Sequence, residues 1–279
     1  MRVLRSIFAH PSGRIGAAII ALYLLAALLG ALGLTPHNAL RQFPIDRLKP
    51  PGEVYWLGTD LLGRDTLSRL MLGIGQSLVV AFGSVACAAL AGSLIGLLAA
   101  WWGGLADGLF MRIMDVLLAF PAILLALLII AIVGPGTWTS IAAIGIVYTP
   151  IFARVVRGPA LSLKRREFVD AARTFGSSDT YTLTRHLLLN LVAPLTVQVT
   201  LALAWALLTE AGLSFLGLGT QPPAPSLGLM LAESKNLMQH APWLMLFPGL
   251  TIMLGILGFN LIGDALRDIL DPRTQRRTA

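Results

Sequence analysis

The sequence predicts an all-α integral membrane protein with six transmembrane helices and both ends in the cytoplasm, and three observations predict it. Of 279 residues, 56% are hydrophobic and only 13% are charged, where a soluble domain carries about 25% charged residues. The apolar residues gather in runs of about 20, the length that crosses a hydrocarbon core of roughly 30 Å. The charges fall in blocks between those runs, and their basic members collect on one side. A mean hydropathy of +0.77 agrees.

Arg2, Arg5 and Arg14 precede or open a first run at residues 15–34. It is too long for the apolar core of a cleaved signal peptide, so it reads as an uncleaved first span. Residues 35–77 are polar and contain Pro36, Pro44, Pro50, Pro51 and Gly52; from Arg64 onward the segment predicts an amphipathic helix at the interface. The second span covers 78–102. Along it Ser84, Ala88, Gly92, Gly96 and Ala100 recur every four residues, a small-residue stripe that lets membrane helices approach closely. Gly103, Gly104 and Asp107 make a turn, and Arg112 and Asp115 open a third span that passes Pro121 and ends near 133.

The fourth span, 140–153, is short, with Tyr148 and Pro150 near its inner end, so its helix extends past Arg154. The fifth covers 191–208, with Pro194 near its start. It is followed by turn residues and apolar anchors, TEAGLSFLGLGTQPPAPSLGLML, as far as Pro242. The sixth, 243–263, carries Gly249, Gly255, Gly258 and Gly263, and a polar tail closes the chain. The division expected is residues 1–77, a five-helix core at 78–263, and a tail at 264–279. The two halves show no repeat, which removes support for an inverted-repeat carrier.

Orientation follows from lysine and arginine. With both ends inside, only Arg41, Arg47, Lys49, Arg64, Arg69 and Lys235 fall outside, and the rest of the 21 lie in the cytoplasm. The largest inner segment is a polar island at 154–190. It holds Arg154, Arg157, Lys164, Arg165, Arg166, Arg173 and Arg185 against Glu167, Asp170 and Asp179. Within it Phe168, Ala171, Ala172 and Phe175 fall at the i, i+3, i+4, i+7 spacing of one helix face. Gly176 stops that helix, and Ser177, Ser178 or Asp179 caps the next. The island therefore predicts two short helices at a glycine turn, with a small apolar face turned away from the membrane.

The sequence also excludes chemistry. A net charge of +7 needs no nucleic acid, because basic residues orient a membrane protein; spans also flank the island too closely for a DNA-reading helix pair. Cys87 is alone, so no intrachain disulfide forms. The apolar cores of the spans hold no ionisable residue, which disfavours a proton- or sodium-driven carrier. No lysine ends a phosphate-binding loop. His10, His37, His186 and His240 are scattered rather than spaced for a metal, and no serine sits in a nucleophile elbow. The chain reads as neither an enzyme nor a holder of cofactor or metal. Uphill transport by it requires an energy source on a partner; a self-contained channel or gradient-driven carrier is the alternative.

The island stretch FVDAARTFGSSDTYTLTRHLLLN resembles the cytoplasmic signature of permease subunits in ATP-binding-cassette importers. That signature has a Glu-Ala-Ala triplet, a glycine four residues after the second alanine, and a hydrophobic-proline close. Here the triplet is Asp170, Ala171, Ala172 and the glycine is Gly176. LGTDLLGRDTLSRL, DVLLAFPAILLAL, EAGLSFLGLGTQPPAPSLGLML and FNLIGDALRDILDPR resemble the C-type permease of the dipeptide/oligopeptide/nickel branch. Aspartate at 170 replaces glutamate, and Leu189 replaces the usual proline, which would let the second short helix run straight into the fifth span.

The resemblance implies a type I importer permease fold in the inner membrane. It implies a paralogous permease, two cytoplasmic ATPase subunits carrying the ATP and magnesium, and an extracytoplasmic binding protein delivering short peptides or a similar solute. It assigns ATPase coupling to Phe168, Ala171, Ala172 and Phe175, with Glu167, Asp170 and Arg173 as a polar rim and Gly176 as the turn. Glu210, Ser214 and Phe215 would belong to the outer gate or the binding-protein contact.

Overall fold

A computed structural model describes residues 10–270, apart from the Arg173 side chain. Arg2, Arg5 and the last nine residues of the expected tail lie outside the described residues. The chain forms α1 (Pro11–Ala31), α2 (Thr66–Trp102), α3 (Gly104–Ala119), α4 (Ala122–Val133), α5 (Thr137–Lys164), α6 (Glu167–Thr174), α7 (Asp179–Phe215), α8 (Leu227–Ser234) and α9 (Trp243–Leu270). Among the described residues there is no β-strand, only an isolated bridge between Thr59 and Asp65. Five helices, α1, α2, α5, α7 and α9, are long and apolar enough to cross a membrane. The pair α3–α4, bent by 93°, is long and apolar enough to make a sixth if its two helices are taken together.

The bend falls at Pro121, which the third span was expected to pass. Its ring disfavours the helical region for the preceding residue, and Phe120 is extended at φ −91°, ψ 140°. One correction concerns the interfacial helix expected at 64–77, which is the opening of α2 itself. Asp65 caps α2 by accepting from the Ser68 amide at 2.9 Å, and nothing downstream breaks the helix. Its polar residues Ser68, Arg69 and Ser77 face protein rather than a membrane surface. At 37 residues, α2 is about 55 Å long and projects well beyond a bilayer core.

α2 and α5 form the most extensive helix pair. The small-residue stripe makes it: Ser84, Ala88, Gly92, Gly96 and Ala100 are all buried. A Cβ on Gly92 would lie 2.5 Å from the Thr149 carbonyl oxygen and 2.6 Å from the Phe152 Cβ. α1 lies against α9, where a Cβ on Gly16 would come within 2.9 Å of the Gly258 carbonyl. The main core draws on α1, α2, α4, α5, α7, α8 and α9. A smaller cluster of Leu97, Trp101, Val156, Ala160, Val169, Leu187 and Leu191 sits where α2 and α5 end and α7 begins.

α5 continues to Lys164 as expected, past Pro150 and Pro159. Lys164 Nζ donates to the Ala100 carbonyl at 3.2 Å and also to that of Trp101. These carbonyls close α2, where a helix lacks internal donors and favours a cation. With leucine at 189, the second short helix does run without interruption into the fifth span, through a π-helical stretch at Thr182–Leu188. α7 and α9 also extend beyond the expected apolar limits, to Phe215 and Leu270.

Candidate functional site

The island folds into the helix–glycine–helix its spacing predicts. α6 spans eight residues and is amphipathic. The Ser177 amide donates to the Ala172 carbonyl and the Phe175 amide to that of Ala171, both at 3.0 Å. Gly176 has a φ of +79°, the left-handed conformation that closes a helix and suits glycine. Ser178 then caps α7, its hydroxyl accepting from the Tyr181 amide at 3.3 Å.

α6 has two apolar sides, and sequence spacing found one of them. Val169 is 0% exposed and inserts among Leu97, Trp101, Val156, Ala160, Leu187 and Leu191. The expected face points the other way: Phe168 is 40% and Phe175 88% exposed, Ala171 is exposed and Ala172 half-buried. Glu167 and Asp170 are exposed beside it, in the first turn, where the helix dipole favours acids. The Arg173 side chain lies outside the described residues. The π-helical stretch adds a neighbour the spacing did not announce. The His186 ring lies 6.1 Å from that of Phe168 and 5.7 Å from that of Tyr181, so an aromatic group extends the apolar face. Its only trace in the sequence is that His186 and Tyr181 fall within one and a half turns of each other.

Two ion pairs join α3 to α5 beside this region. The Arg157 guanidinium donates to both Asp107 oxygens, at 2.5 and 2.6 Å, and Arg154 donates to Asp115 at 2.5 Å. Both arginines belong to the island, yet they face the bent span rather than the exposed face. The matching spacings, acids two turns apart facing arginines one turn apart, are too common in sequences to single these pairs out.

The residues expected at the outer gate lie at the far end of the bundle. Glu210 and Ser214 are fully buried, while Phe215 is partly exposed. Ser214 Oγ donates to Glu210 Oε1 at 2.7 Å, and the Ser77 and Ser226 hydroxyls face the same carboxyl. The Leu227 amide donates to Ser77 Oγ at 3.3 Å. A side chain at Gly228 would strike the Ala211 carbonyl, and one at Gly219 would strike the Ser214 hydroxyl. Glu210 and Ser214 thus fix the junction of α2, α7 and α8, and Phe215 alone of the three reaches the surface. No cluster of three metal-ligating side chains occurs among the described residues.

Comparison with known proteins fits this architecture. The family described as "Binding-protein-dependent transport system inner membrane component" matches residues 92–276, more than half of the chain. The chain is 45% identical over 259 residues to the dipeptide transport system permease protein DppC of Alkalihalophilus pseudofirmus, covering 93% of this chain and 85% of that one. It is 43% identical over 260 residues to the glutathione transport system permease protein GsiD of Pectobacterium atrosepticum, covering 93% and 86%. Among solved structures, a chain of the inward-facing MetNI methionine ABC transporter matches with a TM-score of 0.57 at 18% identity, over 71% of this chain and 94% of that one. At that identity the likeness is one of fold. The chain belongs to the family of binding-protein-dependent transport system inner membrane components, as a multi-pass permease subunit of an ATP-binding-cassette importer.

Proposed function

We propose that this subunit imports short peptides, or solutes of similar size, and that its gate is worked by a cytoplasmic ATPase seated on the outward face of α6. The observation that carries this is Phe175, 88% exposed at the tip of a helix that Val169 anchors in the bundle. A large apolar side chain left in solvent on a helix packed into the bundle is what a partner's pocket fills. Phe168, Ala171 and Ala172 complete the contact, Gly176 allows the sharp turn, and Glu167, Asp170 and Arg173 supply its polar rim. Two ATPase subunits hold the ATP and magnesium, a paralogous permease completes the pathway, and a binding protein delivers solute from outside. Both ends of the chain are cytoplasmic. The dipeptide and glutathione permeases among the relatives support a peptide-like substrate. At the outer end, Glu210 and Ser214 set the position of α8, and Phe215 offers the gate or binding-protein contact.

Gly176→Pro or Ala172→Arg tests the coupling. Proline cannot adopt the φ of +79° at Gly176, and arginine adds bulk and charge to an apolar contact. Both variants are expected to insert in the membrane at normal abundance and to abolish uptake of a labelled dipeptide in cells. Unchanged uptake in either one removes the docking role.

A further inference from the structure

The opposite end of α2 carries a second constellation. Arg69, 32 residues before Trp101 on the same helix, lies about 48 Å from the α6 end. Its Nη1 pairs with Asp60 and, at 2.9 Å, with Glu233. Arg64 donates from Nε to Asp60 at 2.6 Å and from Nη2 to Glu233 at 3.3 Å. Glu233, on α8, is therefore shared by two guanidiniums, and a third of its side chain is open to solvent.

These groups line a cavity of about 220 Å³, whose remaining wall is Leu61, Leu62, Met230, Leu237 and Leu244, with Thr66 and Ser234. Arg69 is 2% and Thr66 1% exposed, yet Arg69 Nε and the Thr66 hydroxyl have no hydrogen-bond partner. A buried donor without a partner costs stability, and both of these line one cavity. Arginine and a neighbouring hydroxyl suit a carboxylate, to which a guanidinium can donate two parallel hydrogen bonds. The apolar wall suits an aliphatic side chain.

We propose that this cavity is a carboxylate-binding site for a small amphipathic acid, of the size of a free amino acid or the C-terminal residue of a peptide. Glu233 closes it: its carboxylate holds the two arginines from the mouth, and an entering carboxylate competes with it. Displacing Glu233 frees α8 from the loop that carries Asp60 and Arg64. The site rests on the peptide reading above only for the choice of probe, and its test involves no ATPase.

The full chain in lipid nanodiscs is titrated with N-acetyl-leucine and with its amide, which lacks the charge, by saturation-transfer NMR. The acid is expected to saturate and the amide to bind at least about tenfold more weakly, the loss of a charge-assisted hydrogen bond. Glu233→Gln removes the competitor and should tighten the acid roughly tenfold while leaving the amide unchanged. Thr66→Val, nearly isosteric, removes one donor and should weaken the acid several-fold. Equal affinity for acid and amide, no binding of the acid, or an acid affinity that Glu233→Gln leaves unchanged or lowers, overturns the site. Each of these results leaves ATPase docking at α6 standing, and loss of that docking leaves the cavity untouched.

Discussion

Phe175→Ala separates docking from folding more cleanly than any other change in the chain. A phenylalanine side chain presents about 200 Å². At 88% exposure, nearly all of it remains to be covered by a partner, so the fold gains little from it. At roughly 25 cal/mol per Å² the covered surface is worth about 4 kcal/mol. Interfaces realise only part of such a figure, which leaves about 2 kcal/mol or more, the range of an anchoring aromatic. ATPase affinity should therefore fall by roughly 30-fold, while thermal stability of the permease shifts by less than about 0.5 kcal/mol. The assay is titration of the purified ATPase onto the permease pair in nanodiscs, with solute-stimulated ATP hydrolysis measured on the same samples. An affinity within about threefold of wild type, on an equally stable protein, refutes the assignment of this face to the ATPase.

Gly92→Val should destabilise the permease by about 1–3 kcal/mol, because its Cβ meets the Thr149 carbonyl at 2.5 Å; a lowered midpoint in thermal-aggregation chromatography checks it. Arg157→Met leaves Asp107 without its bidentate partner. A double-mutant cycle with Asp107→Leu should give a coupling of about 1 kcal/mol, and additivity would show that the pair does not hold α3 to α5. In the loop before α2, hydrogen bonds from Lys49 and then Tyr55 hold the Asp46 carboxyl below its usual range. A lowered folded value means the tether is complete above the ordinary carboxylate value and is lost as pH falls through the lowered one. Pepsin cleavage at residues 46–59 should therefore rise at the acid end of its range, and Asp46→Asn should remove that rise.

Where one physical cause dominates, the sequence states it openly. The stripe from Ser84 to Ala100 announced a close helix contact, and its five positions are buried against α5. Gly176 announced a left-handed helix stop and adopts a φ of +79°. Replacement of proline by Leu189 announced a continuous α7, and the helix is continuous. The misreadings arise where two causes compete. Arg64 to Ser77 looks amphipathic toward water, but its polar side is turned onto Asp60, Glu233 and Glu210. A polar residue facing a buried partner leaves the same pattern as one facing solvent. At Pro121 the hydropathy is continuous across a 93° bend, because hydropathy records composition and carries no backbone direction. Val169 escaped notice because the stronger i, i+4 pattern of its neighbours masked a single inward residue.

That single inward residue decides how the proposed docking face is tied to the bundle. Val169 touches a cluster drawn from three spans: Leu97 and Trp101 of α2, Val156 and Ala160 of α5, and Leu187 and Leu191 of α7. Lys164 meanwhile fastens the end of α5 to the last carbonyls of α2. A well-packed contact cannot stretch, since a small gap forfeits much of its attraction. A shift of α6 is therefore passed to all three spans together, or the cluster breaks. α2 and α5 are already locked by the glycine contacts at Gly92 and Gly96, so they move as one body. The α3–α4 pair, bent at Pro121, is joined to the same body through the ion pairs of Asp107 and Asp115 with α5. The packing from Val169 to Gly92 thus ties the exposed face of α6 to the α2–α5 pair.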